Sequence, residues 1–191
     1  MFIFRERRRG LMRNIKQAIL NKTAQNLLKA LQTHKAKIGI LGLGYVGLPL
    51  AIAFVKKGFS VTGIDLDKKR VETLAKGKSY VEDVASQDIY EAVKQGKFEP
   101  TDSPDALAHV DVVIICVPTP LNRAKDPDLS YVSKATDSVQ KTLHAGQLIV
   151  LESTTYPGTT RELVLPELEK SGLKADNRCV NCSGATVTSG Y

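Results

Sequence analysis

Gly42-Leu43-Gly44-Tyr45-Val46-Gly47 stands between two apolar runs, Ile38-Gly39-Ile40-Leu41 before it and Leu48 to Val55 after it. Eighteen residues beyond Gly47, at the end of a third apolar stretch from Phe59 to Ile64, comes Asp65. A lone GxGxxG is a weak signal. Its context here makes it a strong one: a buried strand, a glycine turn, a helix, and a second strand ending in an acid. That is the sequence form of a dinucleotide-binding βαβ unit.

Each residue of the unit has an expected task. Gly42 permits the tight turn out of the strand. Gly44, lacking a Cβ, lets the backbone approach a pyrophosphate, and Gly47 lets the helix pack against the sheet. The positive end of that helix then faces the phosphates. Asp65 is expected to accept hydrogen bonds from both hydroxyls of the adenosine ribose. A carboxylate there repels a 2′-phosphate, so the reading is NAD and not NADP. Arg70 is placed either to reach the same ribose edge or to stack on the adenine.

Outward from this unit the chain alternates. Strands are expected at 37–41, 60–65, 98–101, 110–117 and 148–151. Helices are expected over 45–57, from about Asp67, over 86–94, after Ser103-Pro104, over 130–143 and from Thr159-Thr160-Arg161-Glu162 to about Lys170. Ser103-Pro104 resembles an N-cap followed by proline. The Thr159–Glu162 stretch fits a capping box, and Gly146 is expected to end the helix before it. Val110 to Val117 is nearly all apolar and β-branched, as in a parallel strand buried on both faces. The alternation predicts an α/β, Rossmann-type doubly wound parallel sheet with helices on both faces. A basic helical arm precedes it, with Leu11, Ile15, Ile19, Leu27, Leu28 and Leu31 as its apolar points.

The net charge of +7 belongs to that arm. Residues 1 to 38 hold ten Lys/Arg against one acid, a charge of +9, which leaves the remaining chain at −2. A nucleic-acid binder needs a basic folded face with aromatics interleaved, so no nucleic-acid partner is expected. No stretch is long and apolar enough to span a membrane. The order at the start, apolar then basic, is the reverse of a signal peptide. Three cysteines, Cys116, Cys179 and Cys182, fit a reducing, cytoplasmic compartment. His34, His109 and His144 lack ligand spacing, and Cys179-x-x-Cys182 lacks a second pair, so no metal site is expected. Cys116 reads as a small core residue.

Ligands of such sheets bind beyond the carboxyl ends of the strands. Two further strand ends are chemically marked: Cys116-Val117-Pro118-Thr119-Pro120 and Glu152-Ser153-Thr154-Thr155-Tyr156-Pro157-Gly158. Each alone is ordinary turn chemistry. Together with the glycine loop they form one edge, with the polar loop from Leu121 to Leu129 between them.

These three motifs resemble the N-terminal half of the nucleotide-sugar 6-dehydrogenases, from about Lys37 to Ala175. The third motif is most similar to the UDP-N-acetylglucosamine branch. The resemblance implies two successive NAD-dependent oxidations at C6 of a UDP-sugar, in polysaccharide biosynthesis, by a homo-oligomer. UDP-glucose and UDP-N-acetylmannosamine are the alternative substrates. It implies that Gly42, Leu43, Gly44, Tyr45, Val46 and Gly47 hold the pyrophosphate, chiefly through the backbone of Tyr45 and Val46. Asp65 and Arg70 hold the ribose, and Thr119 and Thr154 line the nicotinamide side. Thr154 also helps to orient the reacting oxygen or water. The family's nucleophilic cysteine lies in a downstream glycine-rich motif, and nothing from Asp176 to Tyr191 matches the family's continuation. The organisation expected is therefore a helical extension over 1–36, an NAD domain over 37–175 and a divergent, disordered tail over 176–191. A frameshift would produce such a tail, and a chain of this form would bind NAD without catalysis. A regulatory role through the basic arm is the alternative.

Overall fold

The structure is a computed structural model that describes residues 22–121 and 127–173. Five parallel strands form one sheet: β1 Lys37–Leu41, β2 Ser60–Ile64, β3 Phe98–Thr101, β4 Val112–Ile115 and β5 Leu148–Leu151. Their spatial order is β3-β2-β1-β4-β5. The helices are α1 Lys22–Gln32, α2 Gly47–Lys56, α3 Lys68–Ala75, α4 Ser86–Lys94, α5 Ser130–Thr142 and α6 Leu165–Glu169. A 3-10 turn spans Pro104–His109, and a π-helical turn, Thr160–Val164, leads into α6.

The strand sequences explain the layers. Successive side chains point to opposite faces. Ile38, Ile40, Val112 and Ile114 join one core with Ala51 and Ile52 of α2, Leu74 of α3 and Ile89 and Ala92 of α4. Leu41, Val113 and Ile115 join the other with Leu107 of the 3-10 turn and Ala135 and Val139 of α5. Full burial of each such branched side chain stabilises by roughly 1.5–3 kcal/mol. The apolar face of α1, with Leu27, Ala30 and Leu31, rests on the first core, so the arm's described part packs on the domain. Leu11, Ile15 and Ile19 lie outside the described residues.

Register positions the site. Leu41 is level with Ile64 and with Ile115, and Ile115 with Leu151. Ile64 is in turn level with Thr101, so all five strands end on one line and the segments that follow them start side by side. The chain leaves β1 on one side of the sheet's midline and β4 on the other, which opens the crevice used by ligands of this architecture.

Four local expectations are corrected. The fourth strand, Val112–Ile115, is shorter than 110–117 at both ends; Cys116 N–H still donates to Leu41 O at 2.8 Å, and the chain leaves the ladder after it. Ser103 precedes the 3-10 turn with extended backbone, but its side chain caps nothing. Helix α5 ends where Leu143 turns extended, and Gly146, at φ +89°, serves the later turn into β5. The capping box does not form. Thr159 is already helical, and its hydroxyl donates to Tyr156 O at 2.8 Å. Pro166 has no N–H to donate to a preceding carbonyl, and the wider π turn sits immediately before it.

Candidate dinucleotide site

Strand β1 ends at Leu41, and the N–H of Gly42 donates to Ile64 O at 2.7 Å. Gly42 has φ +98°, and a Cβ there would lie 2.6 Å from Cys116 O. Both facts require glycine. A Cβ on Gly47 would collide with the carbonyl oxygen of Gly42. The closest constraint on Gly47 is therefore the loop's own backbone; the packing role expected of it comes second, through Cys116 Cβ. Gly44 differs from both. A methyl group at Gly44 would meet no atom within 4 Å.

The loop's outer surface is open: Tyr45 is 80% exposed and Val46 55%. The N–H groups of Gly44, Tyr45 and Val46 have no acceptor among the described residues. They stand at the N-terminal end of α2, where partial positive charge gathers. Such a set of donors suits an anion.

Asp65 follows β2 and is only 8% exposed. One oxygen accepts the N–H of Leu43 at 2.9 Å and the other that of Asp67 at 2.9 Å. The acid thus holds the glycine loop to the end of β2 before any ligand arrives. Arg70 Nη1 lies 3.4 Å from Asp65 Oδ2, and Arg70 Nε lies 3.6 Å from Asp67 Oδ2. Asp67 also caps α3, accepting from the N–H of Lys69 at 3.0 Å and Arg70 at 3.4 Å. Arg70 is fixed from both sides as a result.

A cavity of about 360 Å³ opens between Gly44, Tyr45, Arg70, Thr73, Tyr80 and Val81. Tyr80 lies in the connection between α3 and α4 and belongs to none of the three sequence motifs. Its hydroxyl donates to Leu43 O at 2.6 Å, across 37 residues. An isolated aromatic in a loop carries no periodic signal, so only folding reveals that contact. Burial and the nearby Asp65 carboxylate push its phenol well above the usual range.

The other half of the edge lies beyond β4 and β5. Thr119 Oγ1 donates to Thr154 O at 2.6 Å. Ser153 Oγ donates to Val117 O at 2.8 Å. The hydroxyl of Thr155 is buried with no hydrogen-bond partner among the described residues. Between the two loops, Leu121 bridges Pro127, and 122–126 lie outside the described residues. Cys116 is buried at the exit of β4, and its thiol is pushed up to about 12, first by burial and then by the Glu152 charge. Cys179 and Cys182 lie outside the described residues. Among the described residues no cluster of His, Cys, Asp or Glu is placed to hold a metal ion. None of their helices is long and apolar enough to cross a membrane.

Residues 36–183 match the UDP-glucose/GDP-mannose dehydrogenase family, NAD binding domain. The chain belongs to this family. NAD is the cofactor of its domain, and the open donors, the free space beside Gly44 and the acid at β2 fit that group. The chain is 40% identical over 139 residues to the UDP-N-acetyl-D-glucosamine 6-dehydrogenase of Pseudomonas aeruginosa, covering 72% of this chain and 32% of that one. It is 38% identical to the solved UDP-D-ManNAc dehydrogenase of Pyrococcus horikoshii, with a TM-score of 0.69 over 73% of this chain and 33% of that one. A ternary complex of GDP-mannose dehydrogenase from Pseudomonas aeruginosa is similar at 31% identity and TM-score 0.68, covering 72% and 33%. The chain spans about a third of the length of these relatives. The family match begins at residue 36 and runs past residue 175 into the stretch read as a divergent tail.

Proposed function

We propose that this chain supplies the NAD domain for oxidation of the C6 alcohol of a UDP-sugar to the uronate, with UDP-N-acetylglucosamine or a close relative as substrate. The observation that carries the reading is the Thr119–Thr154 hydrogen bond. It joins two strand-end loops on the edge that also bears the glycine loop, across the crevice where ligands of this architecture bind.

NAD, when bound, accepts hydride. The chain's own groups hold and orient it. Backbone donors of Tyr45 and Val46 take the pyrophosphate, and Asp65 with Arg70 takes the adenosine ribose. Asp65 Oδ2 already faces Leu43 N–H and Arg70, so Oδ1 has the greater spare capacity for a ribose hydroxyl. Thr119 spends its proton on Thr154 O, so its oxygen is left to accept, which suits the carboxamide N–H of nicotinamide. The Thr154 hydroxyl is exposed and can donate to a developing alkoxide without adding charge.

The second oxidation calls for a reactive thiolate. Cys116 is the cysteine of the described region, and its burial and raised pKa disqualify it. Our reading is that the chain by itself binds NAD without turnover. It works as part of a cytoplasmic homo-oligomeric enzyme of polysaccharide biosynthesis. The experiment is direct: incubate the purified chain with NAD and UDP-N-acetylglucosamine, then with UDP-glucose and UDP-N-acetylmannosamine. NAD binding without NADH formation is the expected result. Robust NADH formation with any of the three would overturn the inactive reading and name the sugar.

A further inference from the structure

Four groups around the cavity close into a ring. Tyr80 Oη donates to Leu43 O at 2.6 Å. Leu43 N–H donates to Asp65 Oδ2 at 2.9 Å. Arg70 Nη1 lies 3.4 Å from the same oxygen. The Arg70 guanidinium carbon sits 5.6 Å from the centre of the Tyr80 ring, within cation–π range. Both polar groups of the Leu43 residue are thereby spoken for, one by Tyr80 and one by Asp65. The peptide units on either side of Leu43 belong to the turn that presents the phosphate donors.

The segment carrying Tyr80 is itself braced. Ser79 N–H donates to Ser86 Oγ at 2.9 Å, the first residue of α4. Ser79 Oγ contacts both Val81 O, at 2.9 Å, and Val81 N, at 3.1 Å. Gly77, at φ +72°, packs against Tyr90 of α4, where a Cβ would meet Tyr90 atoms at 2.9 Å. The α3–α4 connection is thus anchored to the body of the domain and forms a wall of the cavity.

We infer that Tyr80 is a positioning residue for the adenosine diphosphate half of NAD, setting the glycine loop through Leu43 O and holding Arg70 over its ring beside Asp65. Without the hydroxyl, Leu43 O loses its partner and the loop is tied down from one side only. Without the ring, Arg70 keeps its two carboxylates but loses its seat. The nicotinamide half, held from the loops after β4 and β5, does not touch this ring. The inference rests on the NAD site described above and is independent of the sugar.

The test compares the two halves of the cofactor in the full chain. Calorimetry measures ADP and nicotinamide mononucleotide binding to the wild type, Tyr80→Phe and Tyr80→Leu. Tyr80→Phe should weaken ADP about three- to tenfold, the range of one hydrogen bond, and Tyr80→Leu further. Affinity for nicotinamide mononucleotide should stay within about twofold. Unchanged ADP affinity, or equal losses for both ligands, would overturn the inference. A wild type that binds no ADP would overturn the cofactor site as well, which separates the two failures. A second measurement reads the wild-type chain directly. In chain labelled with 3-fluorotyrosine, the fluorine signal absent from the Tyr80→Phe spectrum belongs to Tyr80. It should shift with ADP and stay still with nicotinamide mononucleotide; a signal indifferent to ADP refutes the role.

Discussion

The hydroxyl of Thr119 donates to the backbone carbonyl of Thr154 at 2.6 Å, and with the Ser153 Oγ to Val117 O bond it ties the loops after β4 and β5. Strand register brings the two loops side by side, since Ile115 and Leu151 are partners. The two hydrogen bonds then hold their separation. The Thr119 bond also decides chemistry, because it consumes the hydroxyl's only proton.

Thr119→Val keeps the shape and removes the donor. Unfolding stability should fall by about 0.5–1.5 kcal/mol, read by urea denaturation. Affinity for nicotinamide mononucleotide should fall, while ADP affinity should hold. Thr119→Ser should restore both. A Thr119→Val chain that binds nicotinamide mononucleotide normally would remove Thr119 from the site.

Gly44 and Gly47 separate binding from folding. Gly44→Ala adds a methyl group in open space, where no atom lies within 4 Å. Stability should change by less than about 0.5 kcal/mol, while NAD affinity collapses because the methyl stands where the pyrophosphate approaches. Gly47→Ala drives a Cβ into Gly42 O, so that chain should be strongly destabilised or fail to fold. Thermal melts and NAD titration of the pair check both. Equal stability loss in the two variants would contradict the assignment.

Asp65→Ala should weaken NAD by about 1.5–3 kcal/mol, the worth of hydrogen bonds to a charged group. It should also lower stability in the absence of cofactor, because the N–H groups of Leu43 and Asp67 lose their acceptor. Asp65→Asn keeps one oxygen and should recover part of the stability. It should also relax the preference against NADP, since the charge that repels a 2′-phosphate is gone. Parallel NAD and NADP titrations give the ratio; an unaltered ratio would place cofactor choice elsewhere.

The Cys116 thiol ionises near 9 in an unfolded chain, and the fold pushes it up to about 12. Between those values the unfolded state releases a proton that the folded state keeps. Its contribution to stability is therefore complete below about pH 9 and lost as pH rises through about 12, at on the order of 1 kcal/mol per pH unit. Tyr80 shifts in the same direction and adds to the loss above pH 10. Denaturation midpoints across alkaline pH should fall less steeply in Cys116→Ala than in wild type. Identical slopes would mean that the thiol is solvated.

The sheet was legible because its signals are local and periodic. Short β-branched runs, glycine turns and the Ser86–Lys94 helix each follow from neighbouring residues. The failures were of a different kind. Thr159 has the composition of a cap, yet its backbone is helical and its hydroxyl turns back to Tyr156. Gly146 has the look of a helix stop, yet α5 ends earlier at Leu143. In each case the residue type suits the motif, but the partner it meets in the fold is a different one.

By itself the sequence determined the order of strands and helices, the glycine loop with its acid, and the edge on which the marked loops gather. Those follow from hydrophobic period and from residues whose backbone has little choice. Tertiary structure alone decided that Asp65 accepts from Leu43 N–H, that Gly47 is demanded by Gly42 O, and that Tyr80 meets Leu43 O from 37 residues away. The physical reason is common to all three. A hydrogen bond or a steric contact between distant residues depends on their distance in space, and no local pattern encodes that distance.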